Sequence, residues 1–517
     1  MRISAAPTLV TLAVVIIAAE TPAWAQAAPP GRPAPSALSQ PAVSDDWQVL
    51  HERWAKVMRD LRVPGMAVAV VKDDAVILLD ALGNRDAEGK LPVTVRSPFY
   101  IASSTKSFTA LAVAILVDEG KVEFDAPVRR YLPRFALKDP QATSDLTIRD
   151  LLAHRRGIDS GLISTGEAYT GLMPEDRYYR LLARVKPANK FQYSNLNFTL
   201  AGRVIKAVSG SSWQEFLAER VFAPAGMTNS YCLASRLYAD PAAAMPIEEV
   251  NGEWQLAPIR KTDATMHAAG GLGASAADLA QWLRLNMAGG VVGEKRIVSE
   301  KMLREMHSPQ VTVERGAEGF GDFTATAYGL GWFLGEMAGR PLVHHFGGYE
   351  GARCHISFLP GERTGVAVVV NESGPASAFA EMVALDCYAK ALNTALPDIL
   401  PRMSENAAKV RARRAARNVA TGDPPSDEKG LSRPASAYAG EYSHEDFGTA
   451  IVTSENGRLA AHLGALRGRM ISTGVDEFVG TFLHSDDGQG LFEIDEQGNV
   501  RAVVFRGNFT ETRFEKQ

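Results

Sequence analysis

At 517 residues the chain is too long for one small domain, and at about 100–200 residues per domain two to four are expected. Hydrophobic residues at 46% against charged residues at 22% describe a globular chain and exclude collagen, a disordered tail and a multi-span membrane protein. The 55 basic and 59 acidic residues leave a net charge of −4, which offers no electrostatic footprint for nucleic acid.

The chain opens on Arg2 and an apolar run from Leu9 to Ala19, too short for the roughly 18–20 residues that span a bilayer. Ala23-Trp24-Ala25 before Gln26 is a small-x-small cleavage site, so residues 1–25 are expected to be an export signal. Export to the periplasm or the medium follows, with no transmembrane segment left after cleavage. The Ala-, Pro- and Ser-rich stretch 26–44 reads as a disordered lead-in.

Residues 45–395 carry the pattern of an α+β domain. Met66–Lys72 and Ala75–Ala81 around Asp73-Asp74 predict a hairpin, and Ala352–Leu359 and Gly365–Asn371 repeat it. Between them lie helical patterns. Phe108, Leu111, Ala112, Ile115 and Leu116 predict an amphipathic helix stopped by Gly120. Phe198–Val208, Trp213–Val221 and Ala376–Leu392 predict three more. Strands at both ends with helices between them imply one antiparallel sheet flanked by helices, plus a helical subdomain. Residues 396–435 read as a linker: a basic run (Lys409, Arg411, Arg413, Arg414, Arg417), expected as a solvated connecting helix, precedes Thr421-Gly422-Asp423-Pro424-Pro425. Residues 436–517 are all β. Runs at Thr449–Thr453, Arg458–Leu463, Glu477–Leu483, Gly490–Ile494 and Val500–Arg506 predict a small accessory barrel or sandwich.

Three motifs carry chemistry. In Ile101-Ala102-Ser103-Ser104-Thr105-Lys106-Ser107-Phe108, Ser103 and Lys106 stand three apart, on one helical face. A neutral amine there takes a proton from the hydroxyl, and the helix start aims N–H groups at a developing anion. Tyr193-Ser194-Asn195 places a phenol that can relay protons before a helix, with an amide to hold substrate and lysine. His345-Phe346-Gly347-Gly348 precedes the second strand pair. Its glycines let backbone approach a ligand, and the Gly348 N–H is the expected partner of the Ser103 N–H in an oxyanion hole. The histidine can bond the tyrosine or the substrate, and His344 competes with His345 for that place. His154 is expected to be structural. No metal-ligand spacing, phosphate loop or G-x-S-x-G elbow occurs, so neither metal nor cofactor is implied. Three cysteines without C-x-x-C spacing are expected to be buried and free.

Taken in order, the three motifs resemble the serine β-lactamase and penicillin-binding superfamily, in its class C-like branch of β-lactamases, D,D-carboxypeptidases, D-aminopeptidases and family VIII esterases. Supporting segments are Leu151–Gly157, Ala269-Gly270-Gly271-Leu272, Asp278-Leu279 and Tyr328–Trp332. The resemblance implies a β-lactamase/transpeptidase-like fold and a serine hydrolase working through an acyl-enzyme. It makes Ser103 the nucleophile, Lys106 and Tyr193 the general base and acid, and Asn195, His345, Gly347 and Gly348 substrate contacts. The substrate is a small molecule or peptide with an ester, amide or β-lactam carbonyl. Its alternatives are a peptidase on D-residue, cell-wall or linearised cyclic peptides, and a penicillin-binding protein with slow turnover. Phe346 stands where the family commonly has Thr or Ser, and His345 where many members have lysine; both departures weaken a β-lactamase assignment. The loops Ser160–Lys190 and Val311–Ala327, on which substrate choice depends, carry no readable code, and the oligomeric state is not legible.

Overall fold

The computed structural model describes residues 45–250, 252–314, 322–374, 377–420, 430–480, 489–506 and 511–517. The expected export signal and lead-in, and the turns at 421–425 and 486–488, lie outside the described residues.

Helix α1 (Asp45–Leu61) leads into the hairpin β1 (Gly65–Lys72) and β2 (Ala75–Gly83). The chain continues through β3 (Pro98–Tyr100), a 3-10 turn (Ala102–Ser104) and α2 (Thr105–Asp118). Helices α3 (Glu175–Leu182) and α4 (Asn195–Ser209) follow, then β4 (Gly273–Ser275) and α5 (Ala276–Met287). The further strands of the main sheet are β5 (Val311–Thr312), β6 (Ala327–Tyr328), β7 (Phe333–Met337), β8 (Arg340–Tyr349), β9 (Ala352–Leu359) and β10 (Thr364–Val370). Helices α6 (Phe379–Leu392) and α7 (Leu400–Ala420) close it.

The main sheet has eight antiparallel strands in the order β5-β6-β7-β8-β9-β10-β1-β2. Strands from opposite ends of the domain pair with each other, Met66 with Val370 and Lys72 with Thr364. Strand β1 shows why its sequence is a continuous apolar run rather than an alternating one. Ala67, Ala69 and Val71 join the core that contains α2 and α5. Met66, Val68 and Val70 join the core on the other face, with residues of α1, α6 and α7. A strand covered on both faces has no polar side to display.

Helix α2 departs from the expected amphipathic pattern: every residue from Thr105 to Leu116 is buried. Alanines at 110, 112 and 114 let neighbouring elements approach, and the polar residues are satisfied internally. Ser107 Oγ donates to Ser104 O at 2.8 Å and Thr109 Oγ1 to Ala268 O at 2.6 Å. Helix α7 lies within the span read as linker, yet Met403 and Ala407 are buried in the α1/α6 core. Cys232, Cys354 and Cys387 are buried and free.

From Gly440 onward eight strands close into a barrel: β11 (Gly440–His444), β12 (Gly448–Glu455), β13 (Arg458–Leu463), β14 (Leu466–Gly474), β15 (Glu477–Gly480), β16 (Gln489–Ile494), β17 (Val500–Phe505) and β18 (Thr512–Lys516). Phe478, Phe492, Phe505 and Phe514 fill it. Strands β11, β14 and β18 escaped the sequence reading because polar and charged residues outnumber or interrupt their apolar ones, as at Arg467 and Arg469 in β14. The barrel seats on the segment around α3: Ala465 N–H donates to Thr170 O at 2.8 Å. Asp446 pairs with Arg184 at 3.0 Å and Arg180 at 3.2 Å. Ile259, Tyr169, Leu172 and Tyr349 of the larger domain join the barrel's apolar cluster.

Candidate active site

The turn bearing Ser103 is held from behind. Ile101 N–H donates to Leu272 O at 2.9 Å, and the Tyr100 hydroxyl donates to Gly270 O. Ala102 then adopts φ of 45°, a conformation that costs a non-glycine residue about 1–3 kcal/mol and persists only where its surroundings impose it. One such restraint is Thr105 Oγ1 donating to Ala102 O at 2.6 Å. The result is a serine that is partly exposed between buried Ala102 and buried Ser104.

Lys106 is fully buried on the first turn of α2. Its Nζ lies 2.7 Å from Asn195 Oδ1, 2.8 Å from Ala269 O and 3.2 Å from Ser103 Oγ. Burial holds the amine well below the ordinary lysine value of 10.5. A neutral amine has two N–H bonds and one lone pair. The amide oxygen and the carbonyl can take two N–H groups of the amine, and Ser103 Oγ is the third polar atom within its reach. Ser194 caps α4, its Oγ accepting from Asn197 N–H at 3.3 Å and donating to Ile158 O. That cap sets Tyr193 and Asn195 on either side of the helix start.

Tyr193 is partly exposed, and the Lys106 amine sits 4.6 Å from its ring centroid. Its ring is packed by Phe333, stacked at 6.1 Å, by His154 at 4.6 Å and by His345 at 6.3 Å. His154 accepts the Ser194 N–H on Nδ1 at 3.3 Å. It is fully buried and stands directly behind the tyrosine.

Strand β8 supplies the opposite wall. A Cβ at Gly347 would overlap Ile101 O and come within 3.2 Å of Ser104 N, so only glycine lets the strand lie against the serine turn. Gly348 is exposed. Strand β7 pairs with β8 only as far as Phe333 opposite His344, so from His345 to Tyr349 the outer edge of β8 has no strand partner among the described residues. His345 shares the face of Val343 and Gly347, toward the serine; His344 lies on the other face, with Nε2 3.0 Å from Thr324 O. His345 is bonded to the Tyr328 hydroxyl at 3.2 Å, and its Nδ1 donates to Phe346 O at 2.8 Å. Burial holds it well below the ordinary histidine value of 6.5. Phe346 is turned into the core beneath α6, so the position offers the cleft neither a hydrogen bond nor bulk.

The structure thus brings together Ser103, Lys106, Tyr193, Asn195, His345, Gly347 and Gly348. The sequence reading missed the Ala269 carbonyl, the supports Tyr328 and Phe333, and His267. His267 is partly exposed and lies in the fields of both Lys106 and Lys261. Two of the segments quoted for the resemblance were the available signals: Ala269-Gly270-Gly271-Leu272, whose residues accept from Lys106, Tyr100 and Ile101, and Tyr328–Trp332, whose tyrosine holds His345. Among the described residues no group of His, Cys, Asp or Glu is placed to hold a metal ion, and no helix is long and apolar enough to cross a membrane.

A family model described as Beta-lactamase matches residues 50–386, and a domain of unknown function (DUF3471) matches residues 425–516. The chain is 29% identical to penicillin-binding protein 4 of Amycolatopsis lactamdurans over 64% of its length and 86% of that protein. It is 28% identical to a D-aminopeptidase of Brucella anthropi over 63% of its length and 59% of that protein. The octameric penicillin-binding protein homologue of Pyrococcus abyssi shares its fold, with a TM-score of 0.57 at 22% identity over 91% of this chain and 99% of that one. Fold and matches define the class as serine hydrolase. More narrowly, the chain belongs to the β-lactamase family, among the relatives of the penicillin-binding proteins.

Proposed function

We propose that this protein is an exported acyl hydrolase that forms an acyl-enzyme on Ser103. The observation that carries this reading is the Lys106 amine, buried and placed against Ser103 Oγ, Asn195 Oδ1 and Ala269 O. Lys106 takes the hydroxyl proton as Ser103 Oγ bonds to the substrate carbonyl carbon. The N–H groups of Ser103 and Gly348 hold the resulting oxyanion; a lost donor in such a hole costs on the order of 3–4 kcal/mol. Tyr193, beside the lysine, passes the proton to the leaving group as its bond to carbon breaks. Water then attacks the ester, the same groups take its proton, and the acid departs with Ser103 restored. With Lys106 and His345 both neutral, the reacting end of the cleft suits an uncharged ester or amide.

Replacing Ser103 with alanine is expected to abolish turnover of p-nitrophenyl esters and the acyl adduct seen by intact mass. Unchanged turnover in that variant removes the assignment.

A peptidase is the second reading. The open edge of β8 from His345 to Tyr349 can pair with an extended peptide backbone, and the D-aminopeptidase similarity favours it. Release of amino termini from D-residue, cell-wall or linearised cyclic peptides, without ester turnover, distinguishes it. A fluorescent penicillin that labels Ser103 and stays for hours would instead mark a slow penicillin-binding protein.

A further inference from the structure

We propose that Lys261 forms an anion subsite beside the acyl site and selects substrates that carry a carboxylate near the scissile bond. The inference rests on the acyl-hydrolase reading for what the subsite serves, but not for its existence.

Lys261 is 5% exposed. Its Nζ donates to Ala168 O at 2.6 Å. The amine lies 3.9 Å from the ring centroid of Tyr349, 5.5 Å from that of Tyr169 and 5.9 Å from that of Tyr100. Ring faces attract a cation but carry no countercharge. Among the described residues no carboxylate forms an ion pair with Lys261. A protonated amine has three donors, and one carbonyl engages one of them. The arrangement around the amine therefore has the form of a cation site whose anion comes from outside the protein. Burial without a countercharge lowers the amine to about 7.

Position ties this amine to the cleft. Tyr349 follows Gly348 on the open edge of β8, and Tyr100 ends the strand that delivers Ser103. Tyr100 and Tyr349 meet edge to face at 5.6 Å. His267 stands in the fields of both amines. The barrel completes the wall, because Tyr169 and Tyr349 also pack against its apolar cluster.

The groups facing Lys261 are Tyr100, Tyr169, Tyr349, Tyr238 and His267, with Glu350 acting on Tyr169 and Tyr349 and Arg260 acting on Tyr238. Burial raises the phenols and lowers His267, which leaves both kinds neutral near pH 7. An anionic ligand therefore binds best where Lys261 is protonated, and loses that advantage as pH rises through about 7.

The test is calorimetric titration of the full chain with acetyl-D-alanyl-D-alanine and with its C-terminal amide, between pH 6 and 8.5. The carboxylate is expected to bind about tenfold tighter than the amide at pH 6, a charge-pair effect, and the margin to shrink by pH 8.5. Lys261→Met should erase the margin. Equal binding of the two ligands, no binding of either, or a preference that survives in K261M overturns the subsite. If K261M does not fold, the pH dependence of the native protein decides alone. Binding does not require turnover, so a carboxylate preference in a protein that never acylates Ser103 would sink the hydrolase reading and leave the subsite standing.

Discussion

A lysine amine shut away from water gives up its proton easily, because nothing near it repays the lost hydration of the charge. At Lys106 this is what makes a base. Only the deprotonated amine accepts the Ser103 proton, so kcat/KM for an uncharged ester should climb with pH on the acid side and level off. Because burial holds Lys106 well below 10.5, the plateau is reached far below that value. A pH–rate profile whose rise begins only near pH 10 would contradict this, and Lys106→Arg, which stays charged, should be inactive throughout. Tyr193 is tested separately. Tyr193→Phe keeps the ring that packs against Phe333 and His154 but removes the hydroxyl. It should lower kcat by about 10²–10⁴-fold, the usual share of general acid–base catalysis, while the melting temperature moves little. At this scale Ser103, Lys106, Tyr193 and Asn195 could be singled out because their motifs, weak one by one, resemble a known family when taken in order. The Ala269 carbonyl was not, since a backbone oxygen leaves no mark on residue identity.

At the scale of elements, the site exists because two backbones touch. Strand β8 reaches the serine turn only through Gly347, where a Cβ would overlap Ile101 O. Gly347→Ala should push β8 off the turn and displace Gly348 with it. The expected loss is at least about a hundredfold in acylation rate, on the scale of a lost oxyanion donor, read by intact mass against time. A variant that acylates at the native rate would separate Gly348 from the oxyanion. The glycines of this motif were conspicuous in sequence, yet their reason was not. Period-two alternation likewise decides the direction of His345, toward the site, and of His344, away from it, but only once the register with β7 and β9 is known. The amphipathic expectation for α2 failed for a related reason: a helix surrounded on every side needs small and self-satisfied polar residues, and these look like a polar face in sequence.

At the scale of the molecule, the barrel and the larger domain are joined by a carboxylate set against two guanidinium groups. Asp446 is buried, while Arg180 and Arg184 remain about half exposed. Asp446→Ala leaves two arginines that water can hydrate, so the cost should be about 1–2 kcal/mol rather than that of a fully buried pair. A lowered midpoint in chemical denaturation, with the barrel's tryptic sites exposed earlier, is the expected result; an unaltered midpoint would mean that the apolar contacts of Tyr169, Leu172, Ile259 and Tyr349 hold the barrel unaided. By itself the amino-acid sequence determined the α+β class, the β nature of the C-terminal part and the identity of the groups able to do acyl chemistry, because those follow from local periodicity and from functional groups. Only the tertiary structure decided that burial holds Lys106 well below the ordinary lysine value, that the barrel packs against Tyr169 and Tyr349, and that Lys261 sits among phenols with no ion-paired carboxylate among the described residues. Burial and juxtaposition depend on segments hundreds of residues apart, and no local pattern records them.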